Sequence, residues 1–175
     1  MSSKAVNKLN AIISRLEKAV KQSVSAAALK EIGEFTKDIV VKRTRLGYGV
    51  EKNFSQREKL APLKKSYTKA RSMFSGLSAR TTPKKSNLTL TGQMLESMTF
   101  RVSKGSVTIF PSGTRGDGNS NLDVAMWNAK SRTYSNGYTK PARIFNRVSQ
   151  LEHKQIVRFY KKSFTDLLKQ LQLLK

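Results

Sequence analysis

The chain has no cysteine and one histidine, His153, which excludes disulfides, thiolate metal sites and cysteine nucleophiles and leaves too few ligands for a zinc centre. Acids are scarce too, with 11 Asp and Glu against 34 Lys and Arg in 175 residues. They are scattered along the sequence. The nearest approach to a dyad, Glu31 with Glu34, sits among Lys30 and Lys37, which reads as a solvated helical pairing face and not as a general acid/base pair. No Gly-x-Ser-x-Gly elbow accompanies His153, which reads as a surface residue. Residues 112–120, SGTRGDGNS, are rich in glycine but lack the Lys-Ser/Thr ending of a phosphate-cradling loop. The expectation is a protein that is not an enzyme and needs no cofactor or metal.

Long apolar runs are missing as well: no window approaches the ~18 residues of a membrane span. The first residues, MSSKAVNKLNAIISRL, carry charges every few positions, so no signal peptide and no membrane partner are expected, and synthesis is expected in the cytoplasm. Hydrophobic residues make up only 38%, below the roughly 45–50% of ordinary globular chains. Part of the burial is therefore expected to come from a partner.

What the chain has in abundance is positive charge, +23 overall, and it is densest in residues 37–85, where 14 basic groups face 3 acidic ones. Self-repulsion of this size opposes compaction unless an anionic partner offsets it. Lys42, Arg43, Arg45, Lys64, Lys65, Arg80, Lys84 and Lys85 are the candidate contacts to DNA or an acidic partner, acting by counterion release. No zinc finger, helix-turn-helix or aromatic RNA-binding motif is present, so contact with the phosphate backbone is expected and base reading is not.

Periodicity orders the rest. Val6, Leu9, Ile13, Leu16 and Val20 recur every three or four residues, the pattern of an amphipathic packing helix. A second helical stripe follows through Leu29, Ile32, Phe35 or Thr36, Ile39 and Val40 to about Arg43, with Gly33 inside it. Gly47 and Gly49 end regular structure, residues 48–57 read as a loop, and Leu60, Leu63, Tyr67 and Ala70 give a short helix starting near Pro62. Residues 71–86 read as a basic loop.

Residues 87–102, NLTLTGQMLESMTFRV, form the pivot of the sequence. A Thr91-Gly92 break leads into a short helix face of Met94, Leu95 and Met98, which then switches to the period of two of a strand through Phe100 and Val102. Residues 99–102 and 106–110 should pair as a hairpin across Lys104-Gly105. Asn121 or Asp123 can cap a short helix whose Trp127 is expected in the core, and Asn136-Gly137 marks a small hairpin or exposed loop over residues 130–140. Ser149 with Glu152 three residues on is a capping box for a final helix striped by Ile156, Phe159 or Tyr160, Phe164, Leu167, Leu168, Leu171 and Leu174.

Three blocks, in order, resemble the phage virion-morphogenesis and tail-completion superfamily of the head–tail junction. IGEFTKDIVVKRT (32–44) followed by LAPLKKSYTKAR (60–71) is similar to its basic-ended helix and Pro-Leu-x-x-x-Tyr segment. LTLTGQMLESMTFRV (88–102) is similar to its Leu-x-x-Thr-Gly-x-Leu-x-x-Ser-Ile block, with Thr91, Gly92, Leu95 and Ser97 on the usual positions and Met98 in place of Ile. KPARIFNRVSQLEHKQI (140–156) resembles its Pro-Ala-Arg-Pro-Phe block, with Ile144 where the second proline is usual. VAMWNAK (124–130) stands where the family shows Tyr-Ala-x-x-His-x-Phe-Gly, so this segment is expected to be remodelled.

The resemblance implies an α+β subunit, and the periodicities supply its parts: long N-terminal helices, the first of them (residues 4–24) outside the match, a small antiparallel sheet with a β-hairpin, and a long C-terminal helix. Residues 1–28 read as a helical arm and 29–175 as one domain. Thr91, Gly92, Leu95 and Ser97 become its structural pivot, and Pro141, Ala142, Arg143 and Phe145 an assembly segment. It further implies a homo-oligomeric ring, sixfold or twelvefold, that joins portal or head-completion proteins to the tail, in contact with packaged DNA. The alternative class is a cytosolic protein that binds nucleic acid non-specifically.

Overall fold

A computed structural model of the protein describes residues 3–51, 53–73, 93–103, 105–145 and 147–173. The chain is α+β. Helix α1 (Ser3–Ser23) is followed by α2 (Ala26–Arg45), and the break between them is fixed by Ser25, whose hydroxyl caps α2 by accepting from the Ala28 N–H. Residue 28 therefore lies inside α2. Then come β1 (Tyr48–Val50), β2 (Arg57–Lys59), α3 (Lys65–Ser72), α4 (Gln93–Glu96), β3 (Met98–Ser103), β4 (Ser106–Pro111), α5 (Asn121–Ala129), β5 (Arg132–Thr133), β6 (Thr139–Lys140) and α6 (Gln150–Gln170). The strands form three two-stranded antiparallel hairpins, β1–β2, β3–β4 and β5–β6.

Helix α2 is the centre of packing, touching both strands of the β3–β4 hairpin, β1, α6 and α1. Its buried face is Gly33, Thr36, Val40, Arg43 and Thr44, rotated from the expected apolar stripe, of which Leu29, Ile32, Phe35 and Ile39 are only half-buried. The interior position of Gly33 has a steric cause. A Cβ there would lie 2.4 Å from the Phe100 ring, so the hairpin can lie this close to the helix only across a glycine. Thr36 and Thr44 are tolerated inside because each hydroxyl donates back to its own helix, to the Ile32 and Val40 carbonyls at 2.7 Å.

The apolar core is small: Val40 of α2, Met94 and Leu95 of α4, Met98 of β3, Ala125 of α5 and Phe145. The β3–β4 register, Thr99 opposite Phe110 and Val102 opposite Val107, is that of the expected hairpin, with Met98, Ser103 and Pro111 added to the expected strands and the turn made at Gly105 with φ +75°. Helix α6 begins at the expected capping box: the Glu152 N–H donates to Ser149 Oγ at 3.3 Å, and the Ser149 N–H donates to Glu152 Oε2 at 2.9 Å.

Several expectations are corrected. Residues 48–57 contain β1, and β2 starts at Arg57; three-residue strands are too short to show a period of two. Helix α3 starts at Lys65, after Pro62 and not at it. The cap of α5 is Ser120, whose Oγ accepts from the Asp123 N–H at 3.0 Å. Trp127 is 56% exposed and is not a core residue. Residues 130–140 resolve as the hairpin of the two alternatives, with Gly137 at φ +75°. The Thr91-Gly92 break and most of the basic loop at 71–86 lie outside the described residues.

Candidate functional site

Among the described basic candidates, the structure separates two roles. Lys42, Lys64 and Lys65 are exposed and Arg45 is half-buried, whereas Arg43 is 2% exposed and is no DNA contact in this fold. Arg43 and Glu152 are the hub of an internal joint. The Arg43 guanidinium donates from Nη1 to Glu152 Oε2 at 2.7 Å and to the Arg147 carbonyl at 2.9 Å, and from Nη2 to the Phe145 carbonyl. Glu152 is fully buried and accepts a second cation, Arg57 Nε of β2, at 3.0 Å. Burial pulls the Arg43 guanidinium below its ordinary pKa, and the adjoining Glu152 carboxylate opposes that shift.

The joint ties α2 to the start of α6 and to the tip of the β1–β2 hairpin, where the Phe54 carbonyl accepts from the Gln150 N–H at 2.8 Å and the Arg147 guanidinium lies 4.7 Å from the Phe54 ring centroid. Arg80, Lys84, Lys85, Thr91 and Gly92 lie outside the described residues. Leu95 is in the core, and Ser97 shapes the step from α4 to the hairpin, its hydroxyl donating to the Met94 carbonyl at 3.0 Å. Of the expected assembly segment, Pro141 and Ala142 are half-buried. Phe145 is fully buried in the chain's own core and Arg143 is 6% exposed, so neither side chain presents itself to a neighbour.

Two surfaces remain open. The first is α1. It packs on α6 and α2, and its Ala19 is fully buried, while Leu9, Ile12, Ile13, Leu16 and Val20 stand 45–56% exposed. Of the expected packing stripe, Leu9, Ile13, Leu16 and Val20 are thus left about half exposed among the described residues. An open groove of about 330 Å³ runs where the end of α1 meets α2 and α6, against Ile32, Phe159, Tyr160 and Phe164.

The second surface was not legible as a motif. The guanidinium of Arg143 reaches the Pro62 carbonyl at 3.4 Å, and Lys64 Nζ lies 4.6 Å from the Tyr138 ring centroid, which brings the segment before α3 against the β5–β6 hairpin. Tyr134 and Tyr138 lie near-parallel with centroids 6.1 Å apart, and the Arg132 guanidinium lies 5.4 Å from the Tyr134 centroid. Lys140 Nζ donates to the Trp127 carbonyl, and the Arg143 N–H donates to the Asn128 carbonyl at 2.8 Å, fixing the end of α5 beside the same hairpin. Burial and then the neighbouring cations Arg143 and Arg132 hold the Lys140 ammonium below its ordinary pKa.

Among the described residues no group of His, Cys, Asp and Glu could hold a metal ion, and no helix is long and apolar enough to cross a membrane. Comparison with protein-family models, with curated proteins and with solved structures finds no match.

Proposed function

We propose that the chain is a structural, non-enzymatic subunit of the bacteriophage head–tail interface, a neck or tail-completion protein that assembles as a homo-oligomeric ring between portal and tail. The observation that carries the reading is the uncovered stripe of α1, five large aliphatic side chains about half exposed on one helix. Fully burying such a side chain is worth about 1.5–3 kcal/mol, so covering what remains of five offers roughly 5 kcal/mol for association. Burial that the chain withholds from its own core suits a subunit completed by its neighbours.

The cations Lys8, Arg15, Lys18 and Lys21 lie away from this stripe on the amphipathic helix, so they do not bar its burial against a neighbour. A heterologous contact, α1 of one copy on a different surface of the next, closes into a ring where the rotation permits. The ordered resemblance blocks support the location at the neck. They fall on α2 and α3, on α4 with β3, and on the segment leading into α6, and all of these but α3 meet at the core or the Arg43–Glu152 joint.

Light scattering coupled to size exclusion, at low and high salt, tests the reading. The wild-type chain, alone or with purified neck partners, is expected to form a discrete oligomer, and Leu16→Glu to be monomeric with an unchanged circular dichroism spectrum. A wild-type chain that stays monomeric throughout and binds none of those partners would contradict it.

A further inference from the structure

The cationic–aromatic surface at the β5–β6 hairpin carries an inference independent of the neck reading. It is built from two runs without acid: no Asp or Glu occurs between Glu58 and Glu96, nor between Asp123 and Glu152. The fold brings these runs together through the contacts of Arg143 with Pro62 and of Lys64 with Tyr138. Within these two runs positive charge is therefore not interspersed with carboxylates, as it is elsewhere in Glu34 beside Lys37 or Asp117 beside Arg115.

Aromatic rings are concentrated here too. Of the five tyrosines and one tryptophan, Tyr67, Tyr134, Tyr138 and Trp127 lie on this surface, with Trp127 56%, Tyr67 45% and Tyr134 41% exposed. Tyr67 stands in the first turn of α3, five residues after Pro62, whose carbonyl the Arg143 guanidinium reaches. Rings left open among crowded cations match a ligand that supplies both negative charge and flat apolar faces. An acidic peptide supplies only the charge. A duplex keeps its base faces stacked inside, so its phosphates could meet the cations while the rings stayed idle.

We propose that this surface binds single-stranded nucleic acid, with Lys64, Arg132 and Lys140 contacting phosphates and Trp127, Tyr67 and Tyr134 stacking on unpaired bases. Binding relieves the repulsion that Arg143 and Arg132 exert on Lys140. Sequence preference is weak, because every base has a face to stack and no side chain here is set to read base edges.

Trp127 is the only tryptophan, so its emission reports on this site alone. The full-length chain is titrated with oligo(dT) and oligo(rU) of about 16 nucleotides, the upper range for one small binding fold. Emission is expected to be quenched on binding by one or both, the tighter arm naming the sugar. Trp127→Ala and Tyr134→Ala, each at an exposed position and each leaving the charge unchanged, are expected to weaken binding about tenfold, read by anisotropy of a labelled strand. Arg132→Gln with Lys140→Gln is expected to reduce the slope of log K against log salt by about 1.4, two phosphates' worth for a single strand. Lys161→Gln with Lys162→Gln, on the exposed face of α6, serves as the charge-matched control and is expected to leave the quenching intact. Unchanged emission at saturation, wild-type affinity in both aromatic variants, or tighter binding of a duplex or of polyglutamate would overturn the proposal.

Discussion

Replacing Arg43 by alanine tests the internal joint. The side chain is 1% exposed and its partner Glu152 is fully buried, so truncation strips one cation from a carboxylate that water cannot reach. It also removes the donor that serves the Phe145 and Arg147 carbonyls. Arg57 remains on Glu152 Oε1, and Ser149 still donates to Oε2 through its N–H and its hydroxyl, so compensation is partial. Breaking a buried pair by removing one member costs about 3–5 kcal/mol, a large part of the roughly 5–15 kcal/mol that stabilises a small domain. Lys42→Ala, one position away and exposed, is expected within about 0.5 kcal/mol of wild type. Urea unfolding followed by circular dichroism gives both values from the midpoint at constant m. Adding Glu152→Ala to Arg43→Ala is expected to cost less than the sum of the single changes by more than about 1 kcal/mol. A loss below about 1 kcal/mol for Arg43→Ala, or strict additivity with Glu152→Ala, would refute the joint as a stability element.

Three further outcomes follow from the packing. Gly33→Ala gains about 1 kcal/mol in helix propensity but sets a Cβ 2.4 Å from the Phe100 ring, so net destabilisation of about 1–3 kcal/mol is expected in thermal unfolding, with recovery when Phe100→Leu is added. Ser149→Ala removes the α6 cap and one donor to Glu152, with an expected loss of about 1–2 kcal/mol by urea midpoint. Ile13→Lys, on the uncovered face of α1, is expected to leave the unfolding midpoint of the isolated subunit within about 0.5 kcal/mol while abolishing association in light scattering.

Local chemistry made much of the fold legible in the sequence. The capping box at Ser149 and Glu152 and the hairpin turn at Gly105 are written in neighbouring residues, and the structure has both. What needed the fold was anything fixed by distant partners. Arg43 looks like one more cation in a basic run; its burial depends on Glu152, 109 residues away. Gly33 looks tolerated because its reason, Phe100, belongs to another element. Trp127 looks like core because a large apolar side chain usually is, yet it stands exposed beside Lys140, a placement that hydropathy does not encode. The cationic–aromatic surface did leave a trace, the two runs without acid, but only the fold shows that they face one another.

The proposed assembly role is tested most directly by quantitative mass spectrometry of purified phage particles from lysates in which this chain is made. A structural neck subunit is expected in the particle at a fixed, low copy number that matches one ring and persists through salt washing and density banding. Absence from particles, with recovery of the chain in the cellular nucleic-acid fraction, would contradict the head–tail assignment and leave the nucleic-acid surface as its function.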